Sequence, residues 1–560
     1  MSPRDRRDFL KLCVTSTPTL FLGDRANAFE GFEARTGQKS PRTPTSIDRY
    51  VDPLPILKRL EPLRKHGRTV VYQVRMTEFK QRLHSQLPPT KVWGYEGMYP
   101  GPIIEATSKI PVEILWKNQL PQKHIFPIDT RIHGAMSPTP AVRTVPHLHG
   151  SRTKSESDGL PERWFTPGHS EIYHYPNEQQ AATLWYHDHA VGITRLNVYA
   201  GLSGFYLLRD EQELSMNLPS GKYEIPLVMQ DRTLDAEAQL VYAPTNEDGK
   251  MLAPGTWGPE FFGELPVVNG AIFPYLDVEP RQYRLRMLNG ANSRFFNLYL
   301  NLATRPTDIP SLVTFHQIGT DGGLLANSAT LKNLLLGPGE RADLIVDFAG
   351  LDGKTVTLSN TASVPYPGWA MLQTMHAPLN ELMQFRVSRA SSSTSKPFSL
   401  SLKSPLTRLD PAIAEITRDF VLSERLDTEG RSLGVRINDK GYDDPITEFP
   451  RLGSLEKWRF VNMTDDAHPM HLHLVQFQIL ERQGFDFGAM VQGRLELVGV
   501  PRPPAANEAG WKDTAIVSPR DVLTILIRWD GYTGRYVHHC HMLEHEDNDL
   551  MRPFEVVAGK

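Results

Sequence analysis

The 560-residue chain has only two cysteines, Cys13 and Cys540. The first falls in a segment that reads as a leader, so the mature chain keeps one thiol and can form no internal disulfide. Its stability must come from packing. No run of the sequence approaches the ~20 apolar residues that cross a bilayer as a helix. A net charge of −3 gives neither a nucleic-acid nor a polybasic membrane signature. These absences exclude a helical membrane protein, a disulfide-stapled scaffold and a binder of charged polymers. Long helical periodicity is scarce too, and short alternating segments bounded by Gly, Pro, Asn and Asp dominate, so an all-β chain of sandwich type is expected.

The length implies about three domains, and a weak internal repeat supports that number. Val112–Asn118, Tyr283–Asn289 and Lys457–Asn462 each read as a strand ending in Asn, and Gly204–Leu208, Met383–Val387 and Met551–Val556 close the units. The predicted units are 45–215, 222–388 and 405–560, with a Ser-rich linker over 389–404. Residues 1–28 carry Arg6-Arg7 in a context similar to the twin-arginine export motif, then an apolar run and a cleavage-like Ala26-Asn27-Ala28; residues 29–44 read as an extended arm. The protein is therefore expected to leave the cytoplasm through the twin-arginine machinery, to a periplasmic or secreted location, as a monomer without a transmembrane anchor.

Histidine carries the chemistry. Four His-x-His pairs occur, His147/His149, His187/His189, His471/His473 and His539/His541, where random placement of 19 histidines gives fewer than one. On a strand, each pair projects both imidazoles from one face, about 6 to 7 Å apart, a spacing better suited to two adjacent metals than to one. In the third unit Cys540 sits between His539 and His541 and points to the opposite face. Aligning the repeats sets His539-Cys540-His541 against His187-Asp188-His189, and His471–Leu474 against Asn297–Leu300. The second unit thus lacks ligands, and the first lacks the thiol. The eight paired imidazoles belong at an interface between the first and third units, in a number that suits three metals. His468 and His545 would complete a separate site around Cys540, and a thiolate with two imidazoles suits copper. His538 shares the Cys540 face and reads as a packing residue.

His147–Gly150, Trp185–His189, His468–His473 and His539–His545 resemble the four copper signatures of the three-domain multicopper oxidases. Pro226–Arg232, Gly319–Leu324 and Gly510–Thr514 look most like the bacterial spore-coat laccase and bilirubin oxidase branch. The resemblance implies three cupredoxin-like Greek-key β-sandwich domains and four copper ions. It places type 1 copper at His468, Cys540 and His545, and type 2 copper at His147 and His471. The type 3 pair falls to His149, His187, His189, His473, His539 and His541. It also implies one-electron oxidation of phenols, aromatic amines or bilirubin-like donors, coupled to four-electron reduction of O2 to water, with Asp158 and Glu546 supplying protons. The chain departs from the pattern at the axial position of type 1 copper, where Leu550 replaces the usual Met. A raised potential follows unless Met551 shifts in. The alternative is a non-enzymatic copper-sequestering or envelope structural protein on the same fold. A zinc hydrolase is disfavoured because the set lacks a matching carboxylate ligand.

Overall fold

Among the described residues, strands pair into six sheets, and consecutive stretches of chain each build two of them. The computed structural model describes residues 47–244, 251–302, 311–368, 379–389, 404, 406–428 and 432–559. The leader over 1–28, the arm over 29–44 and nearly all of the Ser-rich linker lie outside the described residues. The expected all-β architecture is found. A five-stranded and a four-stranded sheet come from residues 64–209, a seven-stranded and a six-stranded sheet from 224–387, and a six-stranded and a four-stranded sheet from 416–556. Each stretch has its own buried cluster, around Trp93 and Trp116, around Leu285 and Phe385, and around Trp458 and Ile525. Truncating one such tryptophan to Ala costs about 3–5 kcal/mol.

The repeated Asn has the same task in all three stretches. It ends a strand that pairs in parallel with the long strand before it: Thr69–Gln81 with Val112–Asn118, Glu224–Arg232 with Gln282–Asn289, and Ile416–Leu426 with Leu455–Asn462. The side-chain oxygen of Asn118, Asn289 and Asn462 accepts the backbone N–H two residues on, at 3.1, 3.1 and 2.9 Å. Each side-chain amide also donates to a residue of the loop or strand beyond. An Asn turns the chain here because its side chain replaces the ladder partner that the backbone loses at the turn.

Strand alternation also separates the two kinds of surface. Val112–Asn118 alternates buried with half-buried residues, as a strand with one face toward a core does. Ala182–Asp188 is buried at every position, because its second face is covered by other parts of the chain. Among the described residues, no helix is long and apolar enough to cross a membrane.

Candidate metal centre

The four His-x-His pairs sit on two equivalent strand pairs. In the first stretch Pro146–His149 runs antiparallel to Ala182–Asp188, with His147 directly opposite His187. In the third, His468–Leu472 runs antiparallel to Gly534–Cys540, with His471 directly opposite His539. The two strand pairs face each other, and their imidazoles stack across the junction: His147 on His473 at 3.8 Å between ring centroids, and His149 on His471 at 3.6 Å. Within the pairs the rings are 5.0 to 5.9 Å apart, closer than an ideal strand predicts. Three pairs straddle a strand end, with His189, His473 and His541 each one residue beyond the last ladder position.

Three sets of imidazole nitrogens converge, each within 4.8 Å: His147 with His149 and His471; His149 with His187 and His541; and His189 with His473 and His539. The rings are oriented from behind. Nδ1 of His147, His187, His471 and His539 is held by the backbone oxygens of Asp158, Asp188, Asp513 and Cys540 at 2.5 to 2.9 Å. Nδ1 of His473 is held by Asp158 Oδ2 at 2.7 Å. The opposite nitrogens point inward and are buried without partners, namely Nε2 of His147, His187 and His471 and Nδ1 of His149, together with both nitrogens of His541. In the third set, His189 and His473 Nε2 lie 3.2 and 3.3 Å from His539 Nε2. One N–H can serve only one of those contacts, whereas a metal at their centre serves all three. Buried orphan nitrogens aimed at common points are what metal ligands look like without their ions.

The thiol site lies wholly in the third stretch. Cys540 Sγ is 3.5 Å from His468 Nδ1 and 3.7 Å from His545 Nδ1, and those nitrogens are 3.2 Å apart. Thr464 Oγ1 holds His468 Nε2 at 2.6 Å. A buried trigonal set of one sulfur and two imidazoles fits copper. Leu550 shares the core cluster of Cys540 and Met542, while Met551 packs apart from it with Leu160, Tyr442 and Val537. His538 packs against Phe420 and Trp458, as its packing reading anticipates.

Electrostatics follows burial. Burial first, then neighbouring imidazoles, hold His147, His149, His471, His473 and His541 well below the usual histidine range, with His187 lowered to about 3 and His189 to about 4. Such rings are neutral and ready to ligate. Burial alone lowers His545 to about 4, and burial raises the Cys540 thiol well above its ordinary value. A metal must therefore drive off the Cys540 proton. Asp158 and Glu546 flank the clusters. Burial raises Asp158 well above the carboxylate range. Burial works against the Glu546 anion, but the His189 and His539 imidazoles outweigh it and keep it below that range. Glu546 Oε2 lies 3.2 Å from His539 Nδ1.

Several residues that sequence reading did not single out build this arrangement. Glu544 accepts from Tyr242 Oη and Asn292 Nδ2 at 2.8 Å each, and from Ser293 Oγ. Asp547 accepts from the backbone N–H groups of Thr194 and Arg195 at 3.0 Å each. The two carboxylates anchor the short helix Leu543–Asp547 on both sides of His545 and Glu546. Asp513 and Thr514 touch His149 and His471. Their only sequence signal is the Gly510–Thr514 phrase.

Family models described as multicopper oxidase match residues 140–213 and 422–560, the stretches that hold the two strand pairs. A laccase from Bacillus stratosphericus is 41% identical over 525 residues, covering 91% of this chain and 100% of the relative. A laccase from Bacillus subtilis is 40% identical, covering 91% and 99%. Among solved structures, the McoA multicopper oxidase of Aquifex aeolicus matches with a TM-score of 0.70 at 27% identity, over 91% of this chain and 100% of that one. With orphan imidazoles in clusters, a thiol between two histidines and relatives matched along their whole length, the chain belongs to the laccase branch of the three-domain multicopper oxidases, copper-dependent oxidoreductases.

Proposed function

We propose that the protein is a laccase-type oxidase that takes single electrons from phenols, aromatic amines or bilirubin-like donors and reduces O2 to water. The observation that carries this reading is the placement of Cys540 between His539 and His541. Its sulfur joins His468 and His545 on one side, and its two neighbours join different imidazole clusters on the other. His468, Cys540 and His545 would hold one copper; His147 and His471 a second; and His149, His187 and His541, with His189, His473 and His539, the remaining pair. Copper bound there supplies one-electron chemistry beside the thiolate and multi-electron O2 reduction among the histidines.

The chain's own residues provide the path and the protons. Cys540 is bonded directly to both cluster histidines, and its carbonyl accepts from His539 Nδ1 at 2.9 Å, which adds a hydrogen-bonded shortcut to the covalent one. Asp158 keeps a proton because it is buried, and its Oδ1 has no partner. Glu546 stays anionic beside His539 and can accept one. The two carboxyls thus form a donor and an acceptor at the edge of the clusters. The units at 45–215, 222–388 and 405–560, export through the twin-arginine machinery to the periplasm or beyond, and a monomeric state belong to the same proposal.

The test is to load purified protein with Cu(II), record the thiolate-to-copper absorption, and follow O2 uptake with phenols, aromatic amines and bilirubin. A blue protein that consumes O2 with these donors is the expected result. A colourless one would remove the Cys540 assignment. A blue one inactive with every donor would favour copper sequestration.

A further inference from the structure

We infer that Arg341, from the stretch that carries no histidine ligand, is a positioning residue for the histidine clusters and acts through Asp513. The inference rests on the copper assignment proposed above.

Among the paired histidines whose back nitrogen meets a protein oxygen at hydrogen-bond distance, His149 is held differently. Its Nε2 is held, by Asp513 Oδ1 at 3.0 Å and Thr514 Oγ1 at 3.1 Å. Its Nδ1 is left facing the cluster. A backbone carbonyl is fixed by its strand, but a carboxylate on a side chain can rotate. Something must hold Asp513 in place for His149 to present the correct nitrogen. Arg341 does so with a two-pronged fork, Nη1 to Asp513 Oδ1 at 2.6 Å and Nη2 to Oδ2 at 2.5 Å. Both side chains are completely buried. Such a fork fixes the plane of the carboxylate as well as its position.

The fork is itself tied to all three stretches. Arg341 Nε donates to the Thr183 carbonyl at 2.9 Å, on the strand that carries His187. The Arg341 backbone N–H donates to Asp321 Oδ1 at 2.8 Å. Gly150, directly after His149, closes over the pair: at φ +85° a Cβ there would lie 2.5 Å from Asp513 Oδ2 and 2.8 Å from Arg341 Nη2. The Asp513 carbonyl also holds His471 Nδ1 at 2.8 Å, so one residue orients the two stacked rings, one from each strand pair. The second unit thus supplies the clamp for ligands it does not own.

The test uses copper-loaded, full-length protein with Arg341→Gln and Arg341→Lys. A chelator titration follows the total copper retained, by elemental analysis, and the blue absorption of the Cys540 site; their difference is the copper held by the histidine clusters. In Arg341→Gln, copper should leave the histidine clusters at ~10–100-fold lower chelator concentration, the usual cost of removing a group that orients a ligand such as His149. The blue band should respond as in the parent, and Arg341→Lys, which keeps the charge but not the fork, should fall between. Arg294→Gln is the control. It breaks an equally buried pair with Asp231, 2.7 Å apart, and should lower Tm without moving the midpoint for cluster copper. The inference is overturned if Arg341→Gln releases cluster copper at the parental concentration, or if cluster copper and the blue band are lost together, as general destabilisation would cause. Should Arg341→Gln fail to fold, Arg341→Lys and Asp513→Asn are judged by the same criterion. A parent protein that binds copper without a blue band would overturn the copper assignment, and the clamp with it.

Discussion

The strand ends His187-Asp188-His189 and His539-Cys540-His541 are the same structure put to two uses. Each lies beside a shorter strand whose histidine, His147 or His471, sits directly opposite its first imidazole. Each sends its two histidines to different clusters. The residue between them turns the other way, and there the two part. Asp188 accepts from Asn197 Nδ2 at 2.6 Å, Val145 N at 2.9 Å and Ala190 N at 3.1 Å. Cys540 faces two imidazoles. One strand ends in a knot of hydrogen bonds, the other in a ligand set. The imidazole pair is thus separable from what lies behind it, and one scaffold can build half of the shared cluster with or without a thiol site.

Replacing the central residues should break this comparison most sharply. Cys540→Ser should abolish the blue absorption and reduce donor oxidation to background, while type 2 copper remains visible by EPR. Asp188→Ala should do the converse, leaving the blue band and lowering stability by about 3 kcal/mol in a denaturant titration, because buried donors lose their acceptor. Asp158→Asn comes next. Its carboxyl touches His473 from the strand pair of the third stretch and its carbonyl touches His147 from that of the first, so it serves both halves. Reoxidation by O2 should slow by ~10²-fold in stopped-flow traces, the lower range for a lost proton donor, with the blue band of the resting protein unchanged.

A pH titration of the copper-free protein probes both halves together. His187 is lowered to about 3, and His189 and His545 to about 4, chiefly by burial. The unfolded chain takes up protons on these rings near pH 6.5, which the folded chain refuses until near 4. Stability is then complete above about 6.5 and is lost progressively as pH falls toward 4. Tm measured across that window should drop, and a flat profile would contradict neutral buried rings. The smallest effect belongs to Leu550→Met. Leu550 shares the buried cluster of Cys540, and a thioether there should lower the potential of the blue site in a redox titration. An unchanged potential would show that the position does not reach the copper.

Much of this was legible because metal ligation leaves short-range marks. His-x-His spacing, the lone thiol and the repeated Asn are local patterns, and each repeats in equivalent strands. The clamp was not legible. Asp321 and Asp513 fall within the Gly319–Leu324 and Gly510–Thr514 phrases, but nothing local ties either to Arg341, because that pairing depends on how three stretches pack. The same holds for Glu544 and Asp547, buried anchors on either side of His545 whose partners lie far away in the chain. The imidazole spacing was overestimated because an ideal strand was assumed where the strands end.

His468, Cys540 and His545 come from one stretch, whereas every imidazole cluster borrows from two. Colour is therefore a poor gauge of competence. A sample loosened at the junction between the first and third stretches can remain blue after it has ceased to consume oxygen, and bleaching marks a later and different failure.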